Sequence, residues 1–274
     1  MTYSILGRDP VTGELGVAVA SCVLAVGRAV PWARAGVGVV VTQSQTRRGY
    51  GPHALAGLEA GVRPHEVLRT LLERDAGAAD RQVAVLAADG SVAVHTGEGC
   101  LSVSGDRWGD GWSVQGNVLG SPTVLDAMAG AYLRTSEPLA ERLLTALEAG
   151  EAVGGDLRGR QSAALLVVGG HRQSEPWDAV AVDLRVDHAP EPLVQLRQLL
   201  SLQRAYEESD SVVLADLAPD STKAMHEALA AARRGDLDGA RAALADLRRR
   251  PEWDEWLRSS AVARRLPHVI QLLE

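Results

Sequence analysis

The chain has 274 residues, of which 46% are hydrophobic and 23% charged, enough for one large folded domain or a domain with an appendage. Its formal net charge of −7 argues against a nucleic-acid partner. No run of about 18 apolar residues occurs, and the first residues lack the basic region and apolar core of a secretory signal. The sequence therefore predicts neither a membrane partner nor secretion.

The cysteines and histidines give no sign of a metal centre. The two cysteines, Cys22 and Cys100, cannot form a disulfide framework, and neither they nor the seven scattered histidines have metal-ligand spacing. We therefore expect a cytoplasmic protein that has no metal and no cofactor.

The first elements in chain order are strands. The pattern predicts strands over residues 3–9, 15–21 and 35–45, and a turn at residues 10–13 joins the first two into a hairpin. The third strand is apolar throughout. Such strands are buried on both faces, so we expect a layer on each side of the sheet.

The remaining pattern alternates groups of strands with pairs of helices. Helices are predicted at residues 53–60, 65–74, 121–134, 136–150 and 192–208, and strands at 82–87, 91–96, 112–115, 162–168 and 179–186. Two helices between strand groups fit an α+β fold better than a wound βαβ sheet. A polar break at 207–211 precedes helices predicted at 221–234, 237–249 and 252–258. We interpret them as a small helical appendage, with docking of a partner subunit left open.

Thr2 directly follows Met1, and its position has a chemical consequence. If Met1 is removed, Thr2 carries a hydroxyl nucleophile and a free α-amine, which takes the proton as the hydroxyl attacks a carbonyl. An α-amine titrates at about pH 8, so much of it is an available base at neutral pH. The alternative is that Thr2 has no catalytic function, because many proteins have a small residue at position 2 that the start of the chain merely tolerates.

Polar side chains beside glycines end several predicted strands. Ser21 ends the second strand of the first hairpin, so we expect it close to Thr2. The others are His95, Gln115, Asn117 and the loop residues Asp156, Arg158 and Gln161. Each also fits a structural role: a hydrogen-bonded strand end for His95, an ordinary turn for residues 115–117, and an ion pair for Asp156 with Arg158.

A series of motifs in fixed order gives the chain a family resemblance. They are TYSI at 2–5, GVAVAS at 16–21, LAVG at 24–27, VPWARAGVG at 30–38, TQ at 42–43, YGP at 50–52, HTG at 95–97, VQGN at 114–117, GD at 155–156, RG at 158–159 and QSAALLV at 161–167. With them, residues 1–206 resemble a bacterial family catalogued as domain of unknown function 1028, which is placed among the N-terminal-nucleophile (Ntn) hydrolases.

The resemblance implies a fold similar to that of the proteasome β-subunit. That fold is a four-layer αββα sandwich, in which two antiparallel sheets face each other and helices lie outside. We therefore expect an Ntn-hydrolase-like domain over residues 1–206 and a helical C-terminal appendage over residues 207–274.

Two departures from the family pattern bear on the expected site. Position 22 is Cys, where a basic or larger residue is expected, which alters the pocket edge beside the nucleophile. No lysine matches the catalytic lysine of the proteasome, and Arg34 is the nearest basic residue on the third-strand side. An always-charged guanidinium cannot act as a base, but it can stabilise charge or hold an acidic substrate.

The leading hypothesis is an Ntn-type amidohydrolase, a homo-oligomer that cleaves an amide bond of a small metabolite. Thr2 would attack the carbonyl and Ser21 would orient its amine, while Asn117 or backbone amides near Gly116 would stabilise the oxyanion. Asp156 would hold the geometry. The residues that we expect to bind substrate are Arg34, His95, Gln115, Arg158 and Gln161.

Two alternatives remain open from the sequence. The missing lysine favours a non-catalytic binding or assembly protein on the same fold, because a fold can be kept after its chemistry is lost. A cysteine hydrolase using Cys100 with His95 is the third hypothesis, although no orienting acid is evident for this pair.

Overall fold

The computed structural model describes residues 2–101, 103–208 and 210–259. The protein is α+β, and in the described residues its strands form two antiparallel sheets. The strands are β1 Thr2–Arg8, β2 Leu15–Ser21, β3 Pro31–Arg34, β4 Gly38–Ser44, β5 Arg81–Ala87, β6 Val92–Thr96, β7 Gly105–Gly109, β8 Trp112–Asn117, β9 Ser162–Val168 and β10 Val180–Val186.

The α-helices lie between and after the groups of strands. They are α1 Tyr50–Glu59, α2 Pro64–Glu73, α3 Val124–Arg134, α4 Leu139–Ala152, α5 Pro192–Glu207, α6 Ser211–Leu217, α7 Asp220–Arg233, α8 Leu237–Arg248 and α9 Pro251–Ser259. None of these described helices is long and apolar enough to cross a bilayer.

The two sheets pack against each other and against different helices. The six-stranded sheet has the order β10-β9-β2-β1-β8-β7, and the four-stranded sheet has the order β3-β4-β5-β6. Helices α3 and α4 pack on the six-stranded sheet, while α1 and α2 pack on the four-stranded one. Strand β1 lies in the interior of the six-stranded sheet between β2 and β8, so the first described residue begins a central strand rather than an edge strand.

One apolar cluster fills the space between the sheets. Leu6, Val17, Val39 and Leu86 belong to it and are fully buried. A second cluster lies where the four-stranded sheet meets α1 and α2, around Val40 of β4. Because β4 contributes to both clusters, it is buried on its two faces, as its continuous apolar sequence predicts.

The structure corrects the prediction at three elements. Of the single strand predicted over residues 35–45, residues 38–44 form β4, and the residues before them form the turn from β3, a strand that was not predicted; Gly36 in this turn is in the left-handed region at φ 63°. Strand β7 was not predicted, because its sequence GDRWG lacks apolar alternation. Helix α6 begins within the predicted polar break, where the Asp210 side chain caps it by accepting from two backbone N–H groups.

The chain divides into two compact units, Met1–Arg197 and Gln198–Glu274. The division falls inside α5, before the boundary predicted after residue 206. In the second unit α7 packs against α6 and α8. Its apolar cluster includes Ala228, Ala240 and Leu244.

Candidate functional site

Thr2 opens the central strand β1 with its side chain directed between the sheets. Alternate residues of a strand share a face, and Ser4, on the same face as Thr2, donates a 2.8 Å hydrogen bond to Gln43 of the opposite sheet. In the β1–β8 ladder, Thr2 lies opposite Asn117. Thr2 is 5% exposed. The hydroxyl is therefore held at one end of the sandwich, where β1 begins.

Ser21 lies next to Thr2, as the hairpin geometry predicts. Thr2 Oγ1 donates to Ser21 Oγ at 3.2 Å, and the β1–β2 register, in which Tyr3 pairs with Ala20, sets the two residues opposite each other. The carbonyl of Ser21 accepts a hydrogen bond from the backbone N–H of Gln161 at 3.0 Å. This contact brings the loop before β9 to the same end of the sheet.

Asp156 fixes the turn that follows Ser21. Its Oδ2 accepts from the backbone N–H of Cys22 at 3.0 Å, and its Oδ1 accepts from the N–H of Arg158 at 2.9 Å. The Arg158 guanidinium lies 3.4 Å from Oδ2, and its side chain is 45% exposed. Asp156 is buried, so these donors replace the water that it loses. The carboxylate thus joins the end of β2 to the loop before β9.

The loop containing Asp156 also lies against the chain that leaves β8. Leu119 pairs with Asp156 in an isolated bridge, and the N–H of Leu157 donates to the carbonyl of Val118 at 3.3 Å. A Cβ at Gly120 would lie 2.4 Å from the carbonyl oxygen of Gly154, so the close approach of the two loops requires glycine. Thr2, Ser21, Asn117, Asp156, Arg158 and Gln161 are therefore all at this end of the sandwich.

Four buried amide side chains lie between the sheets beside Thr2, and we call Gln43, Gln82, Gln115 and Asn117 the amide layer. Asn117 Nδ2 donates to Gln82 Oε1 at 2.8 Å. Gln115 Nε2 donates to Ser4 Oγ at 2.6 Å and its Oε1 accepts from Ser113 at 3.0 Å. Asn117 and Gln115 are each at most 1% exposed. Their amides are engaged inside the protein, an arrangement that favours positioning roles over the oxyanion and substrate roles expected from the sequence.

Gln161 is at the site but its side chain turns outward. Its backbone N–H contacts Ser21, whereas its side-chain Nε2 lies 3.1 Å from Nδ1 of His188 and is exposed. Contact with a substrate through this side chain stays a prediction.

Arg34 is separated from Thr2 by the length of the four-stranded sheet. It lies opposite Gly38 at the start of β4, whereas Gln43, which contacts Thr2, lies five residues further on. At about 3.4 Å per residue, this is a separation of roughly 17 Å. Arg34 forms an ion pair with Glu59 and lines a cavity of about 430 Å³ with Arg172. The structure does not bring Arg34 to the Thr2 site.

His95 faces away from Thr2. It lies opposite Val83 in the β5–β6 ladder, and Val83 belongs to the cluster that packs on α1 and α2. Its Nε2 is 2.9 Å from the carbonyl oxygen of Ala78, while the Cys100 thiol donates to the carbonyl of Arg81 at 3.5 Å. These contacts match the structural interpretation of His95 and do not favour a Cys100–His95 pair.

Burial shifts the pKa of three groups around Thr2. Burial, reinforced by the Glu151 carboxylate, raises the pKa of Tyr3 well above its usual value, so Tyr3 stays neutral and donates to Glu151 at 2.9 Å. Burial likewise raises the pKa of Glu151. Burial and then the Asp156 carboxylate raise the pKa of the Cys22 thiol, which makes Cys22 a poor nucleophile at neutral pH.

Sequence reasoning missed Gln43 and Gln82 as site residues. Both are 0% exposed although they stand in strands made of valine, alanine and leucine. A buried amide must find hydrogen-bond partners, so an amide within such a strand is a signal of a polar layer. In the described residues no group of three or more His, Cys, Asp or Glu side chains has the arrangement of a metal site.

The fold and this site define an α+β protein with a threonine at the start of a central strand. Residues 2–196 match the model of a family of unknown function, DUF1028, and the chain belongs to that family. The resemblance seen in the sequence motifs is thereby confirmed at the level of the family. A search of curated proteins found no match.

Several solved structures are similar to the chain, including the following three. The crystal structure of protein SPO2555 from Silicibacter pomeroyi, also of DUF1028, is 33% identical, with 74% of this chain and 85% of that chain covered and a TM-score of 0.66. Anbu (ancestral beta-subunit) from Yersinia bercovieri is 12% identical, with 79% and 98% covered and a TM-score of 0.36. The Anbu (Gly-1) mutant from Hyphomicrobium sp. strain MC1 is 14% identical, with 76% and 97% covered and a TM-score of 0.37.

Proposed function

We propose that this protein is an N-terminal-nucleophile amidohydrolase that uses Thr2 after removal of Met1. The observation that carries the proposal is the position of Thr2, which opens a central strand with Oγ1 3.2 Å from Ser21 Oγ, beside the turn that Asp156 fixes. The proposal includes the finer fold: the two facing sheets with α1 and α2 on one and α3 and α4 on the other would form an αββα Ntn-type sandwich.

The proposed chemistry needs no group beyond the Thr2 residue for nucleophile and base. The α-amine accepts the hydroxyl proton as Oγ1 bonds to the carbonyl carbon of a small amide. The amine then gives that proton to the leaving nitrogen as the C–N bond breaks, which leaves an ester on Thr2. Water hydrolyses the ester with the amine again as base, so the enzyme is regenerated.

The neighbouring residues would position this unit. Ser21 would orient the hydroxyl and the amine, and Asp156 would hold the turn after Ser21. Arg158, which is paired with Asp156 yet half exposed, would bind an acidic group of the substrate. A small-molecule substrate, a cytoplasmic location and a homo-oligomeric state remain predictions.

The second candidate is a non-catalytic binding or assembly protein on the same fold. Two observations favour it. Lys223 is the only lysine in the sequence, so no lysine matches the catalytic lysine of the proteasome. Thr2 is buried, with only 5% of its surface exposed to a substrate. In this case the polar cluster around Thr2 would serve recognition or folding only.

The experiment that separates the two candidates is acetylation by p-nitrophenyl acetate, followed by a screen of small amides for ammonia release. We expect the wild type and Thr2→Ser to form an acetyl ester at residue 2, seen by intact mass and peptide mapping as an acetyl group that hydroxylamine removes, unlike an amide on the α-amine. Thr2→Val removes the nucleophile and should lower the rate at least about 10³-fold. Thr12→Val removes an exposed turn hydroxyl and should react like the wild type. Equal reaction of Thr2→Val and the wild type would rule out the mechanism.

A further inference from the structure

Gln43 contacts the Thr2 backbone from the opposite sheet. Its Nε2 lies 3.3 Å from the carbonyl oxygen of Thr2, 3.4 Å from that of Gln115 and 2.8 Å from Oε1 of Gln82. Its Oε1 accepts from Ser4 Oγ at 2.8 Å. The two N–H groups of the Gln43 amide therefore donate to three acceptors, and one of these is the carbonyl oxygen of Thr2, the proposed nucleophile.

Gln82 holds Gln43 in place. The two glutamines are opposite each other in the β4–β5 ladder. Gln82 Oε1 accepts from both Gln43 and Asn117, while its Nε2 donates to the carbonyl oxygens of Gly105 and Gly116 and to Thr96. Gln82 therefore fixes the four-stranded sheet to β7 and β8, the strands on one side of β1.

Stability of the core does not by itself explain these amides. Gln43 and Gln82 lie in strands whose other buried side chains are mostly apolar. An apolar side chain at either position would fill the same space without burying a polar atom that needs a hydrogen-bond partner. They lie at the end of the sandwich where β1 begins, and toward the other end the same space is filled by an apolar cluster. The polar layer is confined to the end that holds Thr2.

We propose that Gln43, fixed by Gln82, is a positioning residue that holds the Thr2 backbone and so fixes the direction of its α-amine and Oγ1 within the site. The inference rests on the proposed function. A donor on the Thr2 carbonyl restrains rotation of the first residue, which lacks a preceding peptide once Met1 is removed. The same donor draws electron density from the carbonyl and keeps the amine in its neutral, basic form at lower pH.

The test uses the full chain with Thr2 exposed by cleavage of an N-terminal fusion. NMR follows the titration of the Thr2 α-amine, and p-nitrophenyl acetate reports its reactivity. Gln43→Met removes the donor at similar side-chain length. Ser113→Ala is the matched control, because it removes a buried hydroxyl that donates to Gln115 of the amide layer but lies away from Thr2. Ser113 lies four residues along β8 from Asn117, about 13 Å away.

We expect Gln43→Met to raise the midpoint of the amine titration by a few tenths of a pH unit and to slow acetylation about tenfold. Ser113→Ala should match the wild type in both measurements. A purely structural role for Gln43 would lower the melting temperature without moving the titration. If Gln43→Met does not fold, Gln43→Glu keeps the length and the acceptor for Ser4, and its carboxylate should raise the midpoint further.

The outcomes separate the inference from the proposed function. An unchanged midpoint in a folded Gln43 variant overturns the positioning role, whatever the reactivity of the wild type. A raised midpoint with no acetylation of Thr2 in any protein supports the positioning of the amine but overturns the hydrolase.

Discussion

At the scale of single residues, Asp156 connects most of the candidate site. Its two oxygens accept from the N–H groups of Cys22 and Arg158, which belong to two different segments of the chain. Cys22 follows Ser21 directly, so the position of the Ser21 hydroxyl depends on this carboxylate. Asp156 is buried, and its removal leaves both N–H groups without their acceptor.

Asp156→Ala should lower the free energy of unfolding by about 2 kcal/mol or more, because a buried polar group left unsatisfied costs about 1–3 kcal/mol. Urea denaturation measures the change. The matched control is Asp126→Ala, which breaks the exposed Arg107–Asp126 ion pair and should cost no more than about 1 kcal/mol. If the two substitutions lower the free energy of unfolding equally, the hydrogen bonds of Asp156 do not stabilise the site.

Part of the site can be predicted residue by residue from the sequence. Thr2 and Ser21 are predictable neighbours because a hairpin with a short turn brings the ends of its strands together. The contact between Gln43 and Thr2 joins residues of different sheets, so it depends on how the sheets stack and not on local pattern. Arg34 was assigned to the site by its charge, although strand register places it at the far end of β4.

At the scale of elements, helices α3 and α4 pack closely on the six-stranded sheet over two glycines. A Cβ at Gly16 would lie 2.5 Å from Cδ1 of Leu143, and one at Gly7 would lie 2.6 Å from the Tyr132 hydroxyl. Both contacts are shorter than real Cβ contacts. The glycines of β1 and β2 therefore set the distance between the sheet and its helical layer.

Gly16→Ala should lower the free energy of unfolding by about 1–3 kcal/mol, because an added methyl group overpacks the contact with α4. Thermal or urea unfolding tests this. Gly49→Ala is the control: the nearest atom to its new Cβ is 3.7 Å away, and we expect a change within about 0.5 kcal/mol. If the Gly16→Ala and Gly49→Ala proteins have the same free energy of unfolding, α4 can move away from the sheet without loss of stability.

Helix α7 of the second unit buries a histidine. Neither ring nitrogen of His226 has a hydrogen-bond partner among the described residues, and the ring makes an edge contact with Tyr206 at 5.9 Å between centroids. Burial lowers the pKa of His226 below its usual value of 6.5. Below that pH the unfolded chain binds a proton that the folded chain resists, so stability present at higher pH is lost as the pH falls.

His226→Phe should therefore reduce the loss of stability between about pH 7.5 and about pH 5.5. Urea unfolding at the two values gives the difference for each protein. His65→Gln changes an exposed histidine and should keep the pH dependence of the wild type. A His226→Phe protein with the full wild-type pH dependence would contradict this account of α7.

Elements with strong local signals were predictable, and those that depend on distant contacts were not. Strand β9 begins and ends as predicted at residues 162 and 168, because it is an apolar run preceded by a polar loop and followed by two glycines. Strand β7 has no such pattern and is held by its ladder with β8. Helix boundaries shift by up to three residues, since capping and packing decide where helices end.

At the scale of the whole molecule, each unit has its own apolar core. The clusters of the first unit draw on residues up to Val168, and the cluster of the second draws on residues from Met225 to Leu247. Helix α5 contributes to the first unit through Arg197, which forms ion pairs with Glu141 and Glu148 of α4. These clusters support our proposal that residues 1–206 form a domain.

A chain ending at residue 206 should unfold cooperatively, because it keeps the first-unit clusters and the Arg197 ion pairs. Calorimetry and acetylation of Thr2 would measure fold and site together. A chain ending at residue 190 lacks α5 and should lose stability. Failure of the 1–206 chain to fold would show that the second unit completes the first.

The central claim is that Thr2 becomes the N-terminal residue, and the intact mass of the untagged protein tests it most directly. The account predicts a mass lower by one methionine, with Thr2 first in the sequence read from the N-terminus. Quantitative retention of Met1 would contradict the account, because a blocked amine cannot accept the proton from the Thr2 hydroxyl.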